Sequence, residues 1–195
     1  MAEFRLPGTR CEPVTLYGNP VLRQPARPVT VFDRSVRKLV DDLFRTMREI
    51  ETGVGLAANQ IGRHEAVFVF DCGGDNVGCV VNPRIELLGE DLEPGGEGCL
   101  SLPGVTLLTE RHSRARVTGA DLDGTPLSIE ASGLLARCFQ HETHHLEGRL
   151  YIDLHPAEVR DAVDADLRSS EWYGTAAIDP RSPVYLRAQQ QDRFS

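Results

Sequence analysis

His141, Glu142 and His145 stand in the spacing H-E-x-x-H. On a helix, successive residues turn by about 100°, so positions four apart point within about 40° of each other, one turn apart. Two imidazoles so placed can hold one cation between them. Glu142 projects to one side of the pair, where it can reach water activated at the cation rather than the cation itself. The roles then separate physically: the ligands hold a Lewis acid and the carboxylate moves protons. The bland alternative is two core histidines beside a surface glutamate, but the motif on a helix is specific enough to favour a metal site.

A catalytic site of this kind usually has three protein ligands and one open position. Glu147 follows too closely on the same helix, and His155 lies beyond a break at Gly148. The better candidate is upstream: Cys99, set in the Gly-containing turn Glu97-Gly98-Cys99-Leu100-Ser101. Taken by itself, such a cysteine is more often a buried apolar thiol than a ligand.

These residues need elements to position them. Residues 132–147 read as a helix stopped by Gly148, which carries the histidine pair. An earlier amphipathic helix places Val36, Leu39, Val40, Leu43, Phe44, Met47 and Ile50 on one stripe, with Asp33 as N-cap and Gly53 as its stop. Residues 53–60 form a small-residue loop. Apolar runs of strand length follow at 66–70, 78–81 and 84–88, and the acidic, Gly-rich residues 89–98 read as a loop. The Asp123-Gly124 pair signals a turn between strands at 114–120 and 127–130. Residues 1–32, rich in Pro and Gly, read as extended or turn structure. A third, polar helix is expected within 156–172, and the last twenty residues show no strong pattern. Strands followed by a packed helix give an α+β domain.

At 195 residues, one domain is expected. A domain of that size buries roughly 70% of its unfolded surface and needs no disulfides. Its motif-bearing core spans about 10–155, and a C-terminal helix and tail about 156–195. Hydrophobic residues make up 41% and charged residues 26%, as in ordinary globular proteins. The net charge of −8 argues against binding nucleic acid through a broad basic surface. No run approaches the ~18 apolar residues of a membrane span, and the first residues do not resemble a secretory signal. Five scattered cysteines without a CxxC pair suit a reducing compartment, so a cytoplasmic protein is expected.

Three segments together resemble the peptide deformylases. That family's G-x-G-L-A-A-x-Q matches Gly53 to Gln60, its E-G-C-L-S matches Glu97 to Ser101, and its Q-H-E-x-D-H-L-x-G matches Gln140 to Gly148 at all positions but one. The order is the family's, and three motifs together are far more specific than any one. The resemblance implies strands, mixed or antiparallel, packed around the H-E-x-x-H helix. It implies removal of the formyl group from the N-terminal methionine of new polypeptides. It makes Cys99, His141 and His145 the ligands and Glu142 the general acid/base. Gln60 and the backbone N–H of Leu100 become the oxyanion donors, with Gly55 and Gly98 beside the substrate's backbone. It implies one divalent ion, often ferrous iron, with zinc, nickel or cobalt as possible occupants.

A thiolate and two neutral imidazoles leave one formal positive charge on a divalent site, enough to acidify bound water toward ~7. The side-chain pocket is legible from the helix itself. Leu134 and Cys138 precede His141 by seven and three residues on the ligand face. With Val54 opposite, they should wall an apolar pocket fit for methionine, although both could equally be core residues.

One departure stands out: the family's Asp between Glu142 and the last ligand is His144 here. A carboxylate that could pair with an arginine such as Arg111 is lost, while all three ligands remain. The expected partners are N-formyl-Met nascent peptides; residues 156–172 could dock on the ribosome or pack on the domain. An amidase for another N-formyl or N-acyl substrate is the main alternative. A metalloprotease and a non-catalytic metal-binding module are weaker ones.

Overall fold

The computed structural model describes residues 11–191. In chain order the elements are β1 (Val14–Thr15), α1 (Arg34–Arg48), β2 (Gly55–Ala57), β3 (Val67–Asp71), β4 (Val77–Leu87), β5 (Leu92–Cys99), β6 (Leu102–His112), β7 (Arg114–Ala120), β8 (Pro126–Ser132), α2 (Gly133–Leu146), α3 (Ala157–Leu167), β9 (Ala177–Ile178) and α4 (Pro183–Gln189). Residues 1–10, part of the segment expected to be extended, lie outside the described residues.

The run Val67-Phe68-Val69-Phe70 is buried throughout. Successive strand side chains point to opposite faces, so this segment needs cover on both sides. Val67 and Val69 join the cluster that includes Leu39, Val40, Leu43 and Met47 of α1. Phe68 and Phe70 join Cys138 and Phe139 of α2, where Phe139 meets Phe70 edge-on at 5.1 Å between ring centroids. The sheet is antiparallel in the order β2-β3-β4-β7-β8 and lies between the two helices. A separate β5-β6 hairpin packs against the other flank of α2. This is the expected single α+β domain around the H-E-x-x-H helix.

The stripe of α1 is buried as its period requires, and Asp33 caps it by accepting from the Ser35 N–H at 2.8 Å. The helix stops at Arg48, however, not at Gly53; Gly53 instead packs so closely that a Cβ would stand 2.6 Å from the Met47 carbonyl oxygen. The helix α2 matches its expected span, and Gly148 leaves it at φ +75°, a conformation that glycine adopts without steric cost.

Three expectations are corrected. The small-residue loop 53–60 contains β2, an edge strand of three residues, too short to show a period, followed by a 3₁₀ turn over Ala58–Ile61. The apolar runs 78–81 and 84–88 are one strand, β4, bulged between Val81 and Arg84. There Asn82 holds φ 55° while its amide bonds both the N–H and the carbonyl of Val29. Residues 89–98 are mostly strand β5, paired along its length with β6, an element the sequence reading left out. Composition misled here in part because one of its glycines serves close packing: a Cβ on Gly95 would stand 2.8 Å from the Arg137 guanidinium.

The third helix is α3, whose Val163 and Leu167 enter the main core. The patternless tail also packs. β9 pairs antiparallel with β1, and Trp172, Tyr185 and Ala188 are buried in the same core.

Candidate metal centre

The helix α2 presents His141 and His145 on one face, their ring centroids 4.9 Å apart. Cys99 ends β5 at the turn into β6, where the register shifts between Gly98 and Cys99. That turn delivers Sγ to within 3.2 Å of His145 Nε2, and the two Nε2 atoms stand 3.1 Å apart. Donor atoms of the three residues all lie within 4.8 Å of one another, and all three residues are buried. Tetrahedral bonds of about 2.1–2.3 Å would space such donors roughly 3.4–3.6 Å apart, so a cation fits with shifts of a few tenths of an ångström. One sulfur and two imidazoles suit zinc, iron, cobalt or nickel far better than magnesium or calcium. Glu147 is exposed and pairs with Arg149, while His155 lies 3.0 Å from Thr109 Oγ1. Neither joins the cluster.

The tautomer of His141 is set by Glu97, whose Oε1 lies 2.7 Å from His141 Nδ1. Donating there leaves the Nε2 lone pair aimed at the centre. Glu97 also accepts from Arg111 at 2.5 and 3.0 Å and from Arg137 at 3.0 Å. Burial opposes its ionisation, but His141 and Arg111 outweigh burial and hold the carboxyl well below the usual carboxylate range. The sequence reading assigned Glu97 no role. Its signal was the strand alternation of β5, hidden beneath an acidic, glycine-rich composition.

Arg111 also reaches His144, with Nη1 3.0 Å from Nδ1. A guanidinium can only donate, so His144 accepts with that nitrogen unprotonated. Burial first, and the Arg111 charge second, push His144 down to about 3. A hydrogen bond from the Arg111 cation to an uncharged ring therefore stands where the family's aspartate would have offered a carboxylate.

Glu142 is buried, and its Oε2 finds no partner among the described residues. Burial pushes this carboxyl up to about 7, with His141 opposing and Glu97 adding to the shift. Gln60, expected on a loop, is 1% exposed in the 3₁₀ turn. Its Oε1 accepts from the Ala57 N–H at 2.9 Å, which turns Nε2 toward Cys99 Sγ (3.5 Å) and Ser101 Oγ (3.3 Å). The Ser101 N–H lies 3.4 Å from the same sulfur, so two donors point at it.

A cavity of about 410 Å³ opens over this cluster. Val54, Gly55, Gln60, Gly98, Leu100, Leu134, Cys138 and Glu142 all line it. Cys138 is buried in the wall, whereas Leu134 is half exposed at the rim. A larger residue at Gly55 would have to displace its neighbours: a Cβ there would stand 2.5 Å from Glu142 Oε1 and 2.8 Å from Cys138 Sγ.

A sequence model of the polypeptide deformylase family matches residues 11–160. Peptide deformylase 1 of Corynebacterium efficiens is 48% identical over 82% of this chain and 96% of its own length. Peptide deformylase of Acidothermus cellulolyticus is 47% identical over 91% and 97%. Among solved structures, peptide deformylase from Thermus thermophilus superposes with a TM-score of 0.74 at 38% identity, covering 93% of this chain and 99% of that one. The enzyme from Synechococcus elongatus in complex with actinonin gives 0.73 at 38% identity, covering 78% and 86%. The chain belongs to the peptide deformylase family, metal-dependent hydrolases that remove the formyl group from newly made polypeptides.

Proposed function

We propose that Cys99, His141 and His145 hold one divalent ion for this deformylation, with Glu142 as the general acid/base. The observation that carries the reading is the convergence of three buried donors beneath a cavity that Glu142 also lines. When bound, the ion supplies Lewis acidity, polarising the formyl carbonyl and acidifying water toward ~7. Glu142 takes a proton from the attacking water and returns it to the departing amine nitrogen. The Nε2 of Gln60 and the N–H of Leu100 donate to the oxyanion that develops, each worth about 3 kcal/mol in the transition state. Gly55 and Gly98, lacking side chains, let the peptide's backbone lie close along the cleft. In the cell the ion is Fe²⁺; Zn²⁺, Ni²⁺ and Co²⁺ fit the same donors. The protein meets its nascent chains at the ribosome in the cytoplasm, a reading supported by its five free cysteines. Removing the ion with a chelator should abolish formate release, and one equivalent of Fe²⁺ or Ni²⁺ per chain should restore it. Full turnover by the metal-free protein, or a requirement for two ions, would overturn the assignment.

Val54, Leu134 and Cys138 are proposed to seat the methionine side chain. Formyl-Met peptides should therefore be cleaved better than formyl-Gly or formyl-Asp peptides. One methylene in an apolar pocket is worth about 1–3 kcal/mol, so the preference should be graded across side chains. Equal kcat/KM on formyl-Met-Ala-Ser and formyl-Asp-Ala-Ser would contradict the pocket.

His144 is proposed to support the centre through Arg111 without touching the ion. His144→Asp restores a buried ion pair with Arg111 and should keep or raise kcat/KM at unchanged metal content. His144→Ala should behave close to the native protein, because Arg111 keeps its two bonds to Glu97. If His144→Ala stripped the metal as completely as His145→Ala, the proposed ligand set would be wrong.

A further inference from the structure

The family match ends at residue 160, yet residues beyond it complete the cleft. The helix α4 lies on β6, and its Gln189 lines the cavity together with Leu100, Leu102 and Gly104. The seat is tight. Gly104 has φ +80°, and a Cβ there would stand 2.3 Å from the Ala188 carbonyl oxygen and 2.6 Å from that of Gln191. Only glycine allows both that backbone angle and that approach.

From this seat Tyr185 reaches inward. It is fully buried, and its hydroxyl donates to the Leu100 carbonyl at 2.8 Å. Burial pushes the phenol up, which keeps it a donor at any working pH. Leu100 belongs to the two-residue turn between β5 and β6, directly after Cys99. The other turn residue is pinned as well, since the Ser101 carbonyl accepts from the Tyr17 N–H at 2.8 Å. Bonds from outside the hairpin therefore hold both carbonyls of the turn.

We infer that α4 is a working part of the enzyme and that Tyr185 is a positioning residue, fixing the Leu100 turn so that its N–H stays aimed at the developing oxyanion. The inference rests on the reading of Leu100 as an oxyanion donor. Such a donor contributes because it is already oriented when charge appears, and a two-residue turn has few internal bonds to orient it.

The test is Tyr185→Phe in the full-length, zinc-loaded chain. The ring still packs, while the buried Leu100 carbonyl loses its donor. Losing one neutral hydrogen bond should lower kcat on formyl-Met-Ala-Ser by roughly 2- to 10-fold. KM and metal content should stay fixed, and the Leu100 amide resonance should shift. An unmoved resonance with unchanged kcat would overturn the positioning role. A parallel decline of kcat, KM and metal content would overturn it too, since that signals general loosening. A shifted resonance with unchanged kcat would instead show that Tyr185 holds the turn but that Leu100 is not an oxyanion donor. Gly104→Ala, which must push α4 off β6, should reproduce the kcat loss by a separate route. Native kcat in that variant, with α4 shown to be displaced, would refute the inference.

Discussion

Glu142→Gln should bind its metal normally and release formate about 10²–10⁴-fold more slowly than the native protein. The change keeps the length and shape of a side chain that is buried beside the histidine pair. It removes only the capacity to take up and return a proton. The proposed ligand atoms belong to Cys99, His141 and His145, so metal content should not move. Nor should folding suffer, because Glu142 Oε2 has no partner among the described residues to lose. A neutral amide is also easier to bury than a carboxylate. The measurement is formate release under saturating substrate, with metal per chain determined on the same sample. Near-native turnover from a fully loaded Glu142→Gln protein would remove Glu142 from the mechanism and leave the metal reading standing.

The second large effect concerns Glu97, which touches neither substrate nor metal. Its carboxylate is buried between Arg111, also buried, and the more exposed Arg137, and it accepts from His141 as well. Glu97→Gln leaves the Arg111 guanidinium buried without its counter-charge. Breaking one side of a buried pair typically costs about 3–5 kcal/mol. For a protein of this size that corresponds to a fall in Tm of about 6–20 °C. The same substitution weakens the bond that orients His141, and lost outer partners of metal ligands typically cost 10–100-fold in metal affinity. Both effects should appear in one variant: a lower Tm in the metal-free protein and a weaker metal Kd. A native Tm together with a native Kd would show that Glu97 organises nothing.

How far each residue was legible depended on the range of the physics that places it. The histidine pair and Glu142 were readable because a helix converts spacing into direction with no help from the rest of the chain. The stripe of α1 was readable because it carries its own period, and β3 because it is an unbroken apolar run of strand length. Cys99 was named by its motif, but residue type alone left it nearer a core thiol than a ligand. Only the β5-β6 turn, folded against α2, brings its sulfur to His145.

Other features depend on partners distant in sequence. Residues 89–98 look like a loop, yet from Leu92 on they form a strand because β6 supplies their hydrogen bonds and Arg111 and Arg137 neutralise Glu97. The substitution at His144 was visible in the sequence. Its neutral state was decided by burial and by an arginine thirty-three residues away in the chain. The C-terminal residues carry no strong period of their own, so nothing local announced that Tyr185 would reach the Leu100 carbonyl. Chemistry written at helical spacing could be read in one dimension. Burial, ionisation state and the closing of the cleft are properties of charges and surfaces that meet only in the folded chain.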